Sequence, residues 1–74
     1  MELKEFLEQN PILQKMELAD MMYPGLKSAR TKLSAKLNEF VIGSGKQRIL
    51  EKDEVEAKRA LRILRDNINK YIEE

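Results

Sequence analysis

At 74 residues, with a formal net charge of +1, the chain has room for one domain whose core supplies at most about 3 to 5 kcal/mol of net stability. It contains no Cys and no His. That excludes a disulfide framework, zinc sites built on those ligands and the commonest general base, so no metal, cofactor or catalytic residue is expected and an enzyme is not the expected reading.

Aromatic residues make up 5% of the chain and charged residues 36%. Leu, Ile and Met supply most of the apolar content, which suits an all-α domain of packed helices over residues 1–74. No apolar run approaches the roughly 18 residues needed to cross a bilayer. The opening stretch MELKEFLEQN is too acidic for a signal peptide, so the expectation is a cytoplasmic protein without a membrane partner.

Leu3, Phe6 and Leu7 follow i, i+3, i+4 spacing and predict a short amphipathic helix over residues 2–9. Asn10-Pro11 suits the start of a second helix, over 11–22, because Asn caps well and the N–H missing from Pro had no intrahelical partner there; the alternative is a later start near Gln14. This helix carries Leu13, Leu18, Ala19 and Met22. It should end by Tyr23, since Pro24 disfavours α geometry in the preceding residue and Gly25 suits a turn. Met16, Met21 and Met22 read as gap-filling core and surface.

Ser28 is placed to cap a third helix over 28–40, in which Ala29, Leu33, Leu37 and Phe40 form a narrow apolar stripe. With that stripe inward, Thr31 and Ala35 point outward. In FVIGSGKQRIL, β-branched residues flank Gly43-Ser44-Gly45, and the segment reads either as a small hairpin or as a loop. From 51 to 72 there is no Gly or Pro, and Glu51, Asp53 and Glu54 crowd the first turn. A long fourth helix is expected there.

Charge is unevenly distributed. Residues 1–26 hold two basic and five acidic groups, a net −3; residues 49–74 hold six and seven, a net −1. Residues 27–48 hold Lys27, Arg30, Lys32, Lys36, Lys46 and Arg48 against Glu39 alone, a net +5. Such a patch predicts a polyanionic partner on one face.

The second helix, the turn and the third helix read QKMELADMMYPGLKSARTKLSAKLNEF. Across residues 14–38 this resembles the helix-turn-helix of Cro and phage-repressor-like DNA-binding proteins. Gln14, Glu17-Leu18-Ala19, Ser34 and Leu37-Asn38 match the family's Gln, Glu-Leu-Ala step, second-helix Ser and following apolar residue. The interval from Ala19 to Ser34 is longer than in the compact form of that motif, and no fifth helix follows. The resemblance implies that the helix over 28–40 lies in the major groove and reads bases with its N-terminal residues, while the preceding helix crosses the backbone.

Short outward residues suit that role, because they let a helix approach the groove floor. Thr31 and Ser34 are placed to hydrogen-bond base edges or phosphates, and Ala35 to touch a thymine methyl. Lys27 and Lys32 reach bases or backbone. Arg30 and Lys36, on the edges of the apolar stripe, reach phosphates on either side. Ser28, Lys46 and Arg48 complete the expected DNA-binding set.

Sequence-specific binding of double-stranded DNA by a small transcriptional regulator is therefore the leading expectation. The alternative is a small helical protein-interaction module, adaptor or antitoxin-like, that turns the same basic face to an acidic partner. Gly43-Ser44-Gly45-Lys46 lacks the Gly and the Ser or Thr that a phosphate-binding loop needs at the positions of Phe40 and Gln47, and so reads as a turn. Asp53 and Glu54 read as partners of the helix dipole. In the fourth helix Ala57, Leu61, Leu64, Ile68 and Tyr71 repeat at 4-3-4-3 spacing, with Ala60, Ile63 and Ile72 widening the apolar arc. A homodimer contact is expected through that helix.

Overall fold

The computed structural model describes residues 1–43 and 45–74, Ile42 by its backbone alone. Four helices, α1 (Leu3–Gln9), α2 (Lys15–Met22), α3 (Ala29–Leu37) and α4 (Glu51–Ile72), form a small all-α domain. A short antiparallel pair, β1 (Val41–Ile42) and β2 (Gly45–Lys46), sits between α3 and α4. Val41 pairs with Lys46 and Ile42 with Gly45. The segment left open between hairpin and loop thus contains a hairpin, and Gly43 takes the positive φ of 64° that the first position of so tight a connection favours. Ser44, in the connection, lies outside the described residues. Among the described residues no helix is long and apolar enough to cross a membrane.

α2 begins four residues later than 11–22 implies, at Lys15 with Gln14 as its N-cap. The cause is local. Asn10 is already committed to closing α1, its side-chain Nδ2 donating to the Phe6 carbonyl at 2.8 Å, so it is not available to cap the next helix. The end of α2 falls at Met22, as expected, and the Leu26 N–H closes a turn on the Tyr23 carbonyl at 3.2 Å. Pro24 and Gly25, the latter at φ 81°, occupy the two positions that a type II turn assigns to such residues.

α3 stops at Leu37, three residues before the expected 40. Glu39 adopts a left-handed φ of 53°, the Phe40 N–H donates to the Ala35 carbonyl at 3.0 Å, and the Glu39 N–H donates to the Lys36 carbonyl at 3.3 Å. This is a Schellman closure with Glu where Gly is usual. It folds the chain at Phe40 back toward Ala35. As a result Phe40, expected in the inward stripe, is 54% exposed, while Ala35, expected outward, is 5% exposed.

The core gathers Leu3 and Leu7 of α1, Leu18, Ala19 and Met22 of α2, Ala29, Leu33 and Leu37 of α3, and Ala57 and Ala60 of α4. Four of these are alanines, and they leave room for Met22, Leu18 and Leu33 where α2 packs on both α3 and α4. Polar contacts fix the ends. The Leu3 N–H at the start of α1 donates to Glu54 Oε1 at 2.8 Å, and Arg59 Nη2 donates to the Met21 carbonyl at 2.6 Å in the last turn of α2. Both are groups a helix leaves without an internal partner.

Candidate nucleic-acid interface

The ten residues expected to contact DNA divide sharply in the structure. Thr31 is exposed on α3, and Ser34, one turn on, is half-buried. Asn38 follows at the C-cap, exposed, with its Nδ2 donating to the Ser34 carbonyl at 2.9 Å and to Ser34 Oγ at 3.3 Å. These three, at i, i+3 and i+7, make the open stripe of the helix. Lys27 and Ser28 are exposed at its N-terminal end. Ser28 occupies the N-cap position without a side-chain cap bond; its φ of −96° and ψ of 20° lie outside the extended region from which a hydroxyl reaches the helix amides.

Two of the expected contacts are withdrawn from solvent. Ala35 is buried under the Schellman closure and cannot reach a thymine methyl. Lys36 is 7% exposed, with its Nζ 2.7 Å from Asp53 Oδ2, and cannot reach a phosphate. It lies on the inward side of α3, where α4 presents a carboxylate. Asp53, 1% exposed, also accepts a hydrogen bond from Tyr23 OH at 2.7 Å and from the Leu50 N–H at 2.8 Å.

Burial alone would raise the Asp53 carboxyl, but hydrogen bonds from Lys36, Tyr23 and Leu50, together with the Lys36 charge, hold it below the usual carboxylate value. The Tyr23 phenol is pushed up, first by burial and then by its bond to Asp53 and the negative charges of Asp53 and Glu56. The three side chains join α2, α3 and α4. Asp53 was legible as a first-turn acid; nothing in the spacing announced that it would meet Lys36.

The remaining cations do not form the single face that the +5 count implied. Arg30 is exposed but turned onto α2, with Nη2 2.8 Å from Asp20 and 3.4 Å from Glu17. Lys46 Nζ lies 3.9 Å from Glu39. Lys32 sits over the Tyr23 ring, 4.4 Å from its centroid, beside a groove that also takes in Lys52 and Glu56. Arg48 lines a different groove with Glu2, Lys4, Glu39 and Glu54. Half of the segment's six cations are neutralised by carboxylates of the same molecule.

Two cations outside that segment approach the open stripe instead. Lys4 of α1 and Lys15 of α2 line, with Glu8, Ser34 and Asn38, a groove of about 110 Å³, two cations against one carboxylate. Both belong to the acidic first third of the chain, where a running charge count masks them. The groove joins the N-terminal end of α2 to the outer side of α3, so that a polyanion lying along α3 would meet Lys27 at one end and Lys15 and Lys4 at the other.

Comparison of the chain with family models, with curated proteins and with solved structures finds no match in any of the three.

Proposed function

We propose that this chain binds double-stranded DNA with sequence preference, as a small transcriptional regulator, through α2, the turn and α3. The observation that carries the reading is the stripe Thr31, Ser34 and Asn38: short and polar, exposed at Thr31 and Asn38 and half-buried at Ser34, and bordered by Lys4, Lys15 and Lys27. Short side chains let a helix lie deep in the major groove, and hydroxyl and amide groups offer both donors and acceptors to base edges. The resemblance of residues 14–38 to phage-repressor-like helix-turn-helix proteins points the same way. In this reading Lys36 and Ala35 belong to the scaffold, Arg30 holds α2 against α3, and Lys4 and Lys15 join the contact set. The chain further self-associates through α4, which would present two copies of α3 to a two-fold site.

Titration onto specific and random duplexes at several salt concentrations tests this. Three phosphate contacts give a log–log slope of about −3. An acidic protein partner for the same cations is the competing reading, and it predicts weak DNA binding at every salt concentration. That result would overturn the proposal.

A further inference from the structure

α4 runs off its own core. Its stripe starts against the other helices, with Ala57 buried and Leu61 packed on the core. Beyond Leu61 the same line continues as Leu64, half-buried, then Ile68 and Tyr71. Tyr71 is 77% and the neighbouring Ile72 70% exposed. From Leu61 to Ile72 the helix advances about 16 Å, and the molecule measures 51 Å along its longest axis against 26 and 20 Å along the others.

Where the stripe leaves the core, a cleft of about 370 Å³ opens between α1 and α4. Phe6, Ala57 and Leu61 give it an apolar lining, and Lys58, Arg62 and Arg65 line it as well. Glu2 and Glu54 also line the cleft, three cations against two carboxylates, and Glu54 accepts a hydrogen bond from the Leu3 N–H. Charge along this part of α4 is polarised. Residues 58–65 carry Lys58, Arg59, Arg62 and Arg65 with no acid, whereas residues 66–74 carry Asp66, Glu73 and Glu74 against Lys70.

We propose that two copies of this chain associate through the projecting parts of α4 in antiparallel orientation, the Tyr71–Ile72 end of each lying at the α1/α4 cleft of the other. This specifies the self-association stated above and rests on it, while standing apart from DNA binding. With the crossing at the level of residue 66, one spacing satisfies the whole stripe: Leu61 meets Tyr71 of the partner subunit and Leu64 meets Ile68 of the partner subunit, each contact made twice by symmetry. Glu74 of the partner subunit then arrives level with Lys58 and Glu73 of the partner subunit level with Arg59, while Lys70 of the partner subunit comes level with Arg62. A parallel arrangement would instead set four cations against four cations, which is repulsive.

Sedimentation equilibrium of the 74-residue chain across a wide concentration range should show a dimer. Ile68→Glu with Ile72→Glu, both at exposed positions, should weaken it at least about tenfold while leaving thermal melting unchanged at concentrations where both proteins are monomeric. Because the chain has no Cys, Lys58→Cys and Ile72→Cys report direction. Under oxidation the two variants should cross-link when mixed, and neither should do so alone. A monomer at every concentration overturns self-association and this arrangement with it. A dimer whose mixed variants do not cross-link, or in which either variant cross-links alone, leaves self-association standing and overturns the antiparallel arrangement.

Discussion

On the inward side of α3, Lys36 shares an arc with Ala29, Leu33 and Leu37 and ends on Asp53. On the outward side, the hydrogen bonds described for Ser34 and Asn38 stay within the helix. One face spends its polar group on the fold and the other keeps its polar groups available. The difference is set by what stands opposite. A buried ammonium is tolerated only where a carboxylate with further hydrogen bonds meets it, and Asp53 supplies that from the first turn of α4. On the open stripe Asn38 satisfies only groups of Ser34 one turn back and Thr31 faces solvent, so Thr31 can be exchanged without unfolding the protein. Stability and recognition should therefore separate cleanly between the two faces of one nine-residue helix.

The largest effect is expected from Asp53→Ala. The substitution leaves Lys36 charged and buried, and strips the Tyr23 hydroxyl and the Leu50 N–H of their acceptor. Breaking a buried pair from one side costs about 3 to 5 kcal/mol, which matches or exceeds the whole stability expected of so small a core. Chemical denaturation should find the variant largely unfolded in the absence of ligand. A folded Asp53→Ala protein with native melting would show that the inward face does not depend on the pair.

Acid and base probe the same cluster in a graded way. The Asp53 value is depressed in the folded state, so its contribution is present above the ordinary carboxylate value of about 3.9 and is lost as pH falls through the folded value. The Tyr23 value is raised, so its contribution is present below about 10 and is lost as pH rises through the folded value. Melting temperature should be flat across neutral pH and fall at both extremes, and Tyr23→Phe should remove the Tyr23 part of the alkaline fall. An unchanged alkaline limb in that variant would detach Tyr23 from the network.

Local signals in the sequence located much of this molecule. The span of α4, the end of α2 at Pro24-Gly25 and the short α1 follow from periodicity and turn chemistry acting within a few residues. The losses came where a residue's fate depends on a distant partner or on a closure without its usual Gly. Helical periodicity places Ala35 outward correctly for an isolated helix, but the left-handed Glu39 ends the helix and turns the Phe40 N–H back onto the Ala35 carbonyl. Lys36 reads as a surface cation until α4 places Asp53 beside it, and Asn10 reads as a cap for α2 until its amide turns back onto α1. Lys4 and Lys15 were hidden because charge was summed along the chain, whereas the groove at Ser34 and Asn38 is assembled across three helices.

Ala35→Glu should have an intermediate effect and sharpens the boundary between the faces. An outward Ala35 would accept the change with a shift within about 0.5 kcal/mol. Buried under the chain reversal, it should lose about 2 kcal/mol or more, because the new carboxylate has no partner there. Thermal melting decides between these outcomes. A stable Ala35→Glu protein would return the position to the open face.

The smallest change in stability, and the most direct probe of recognition, is expected on the open stripe and its border. Thr31→Ala removes a hydroxyl and a methyl from an exposed helix position, so melting should move by no more than about 0.5 kcal/mol. If Thr31 reads a base edge, the variant should bind the preferred duplex less well while its affinity for random duplexes stays near that of the parent, since phosphate contacts carry no sequence information. Lys15→Ala should do the reverse. It should weaken every duplex alike and flatten the salt dependence by about 1 in log–log slope, the signature of one lost phosphate contact. Measured side by side, the two variants distinguish reading from anchoring on a surface a few residues wide. A Thr31→Ala protein that loses affinity uniformly, or a Lys15→Ala protein with an unchanged slope, would move the DNA away from α3 and leave the open stripe an ordinary solvated helix face.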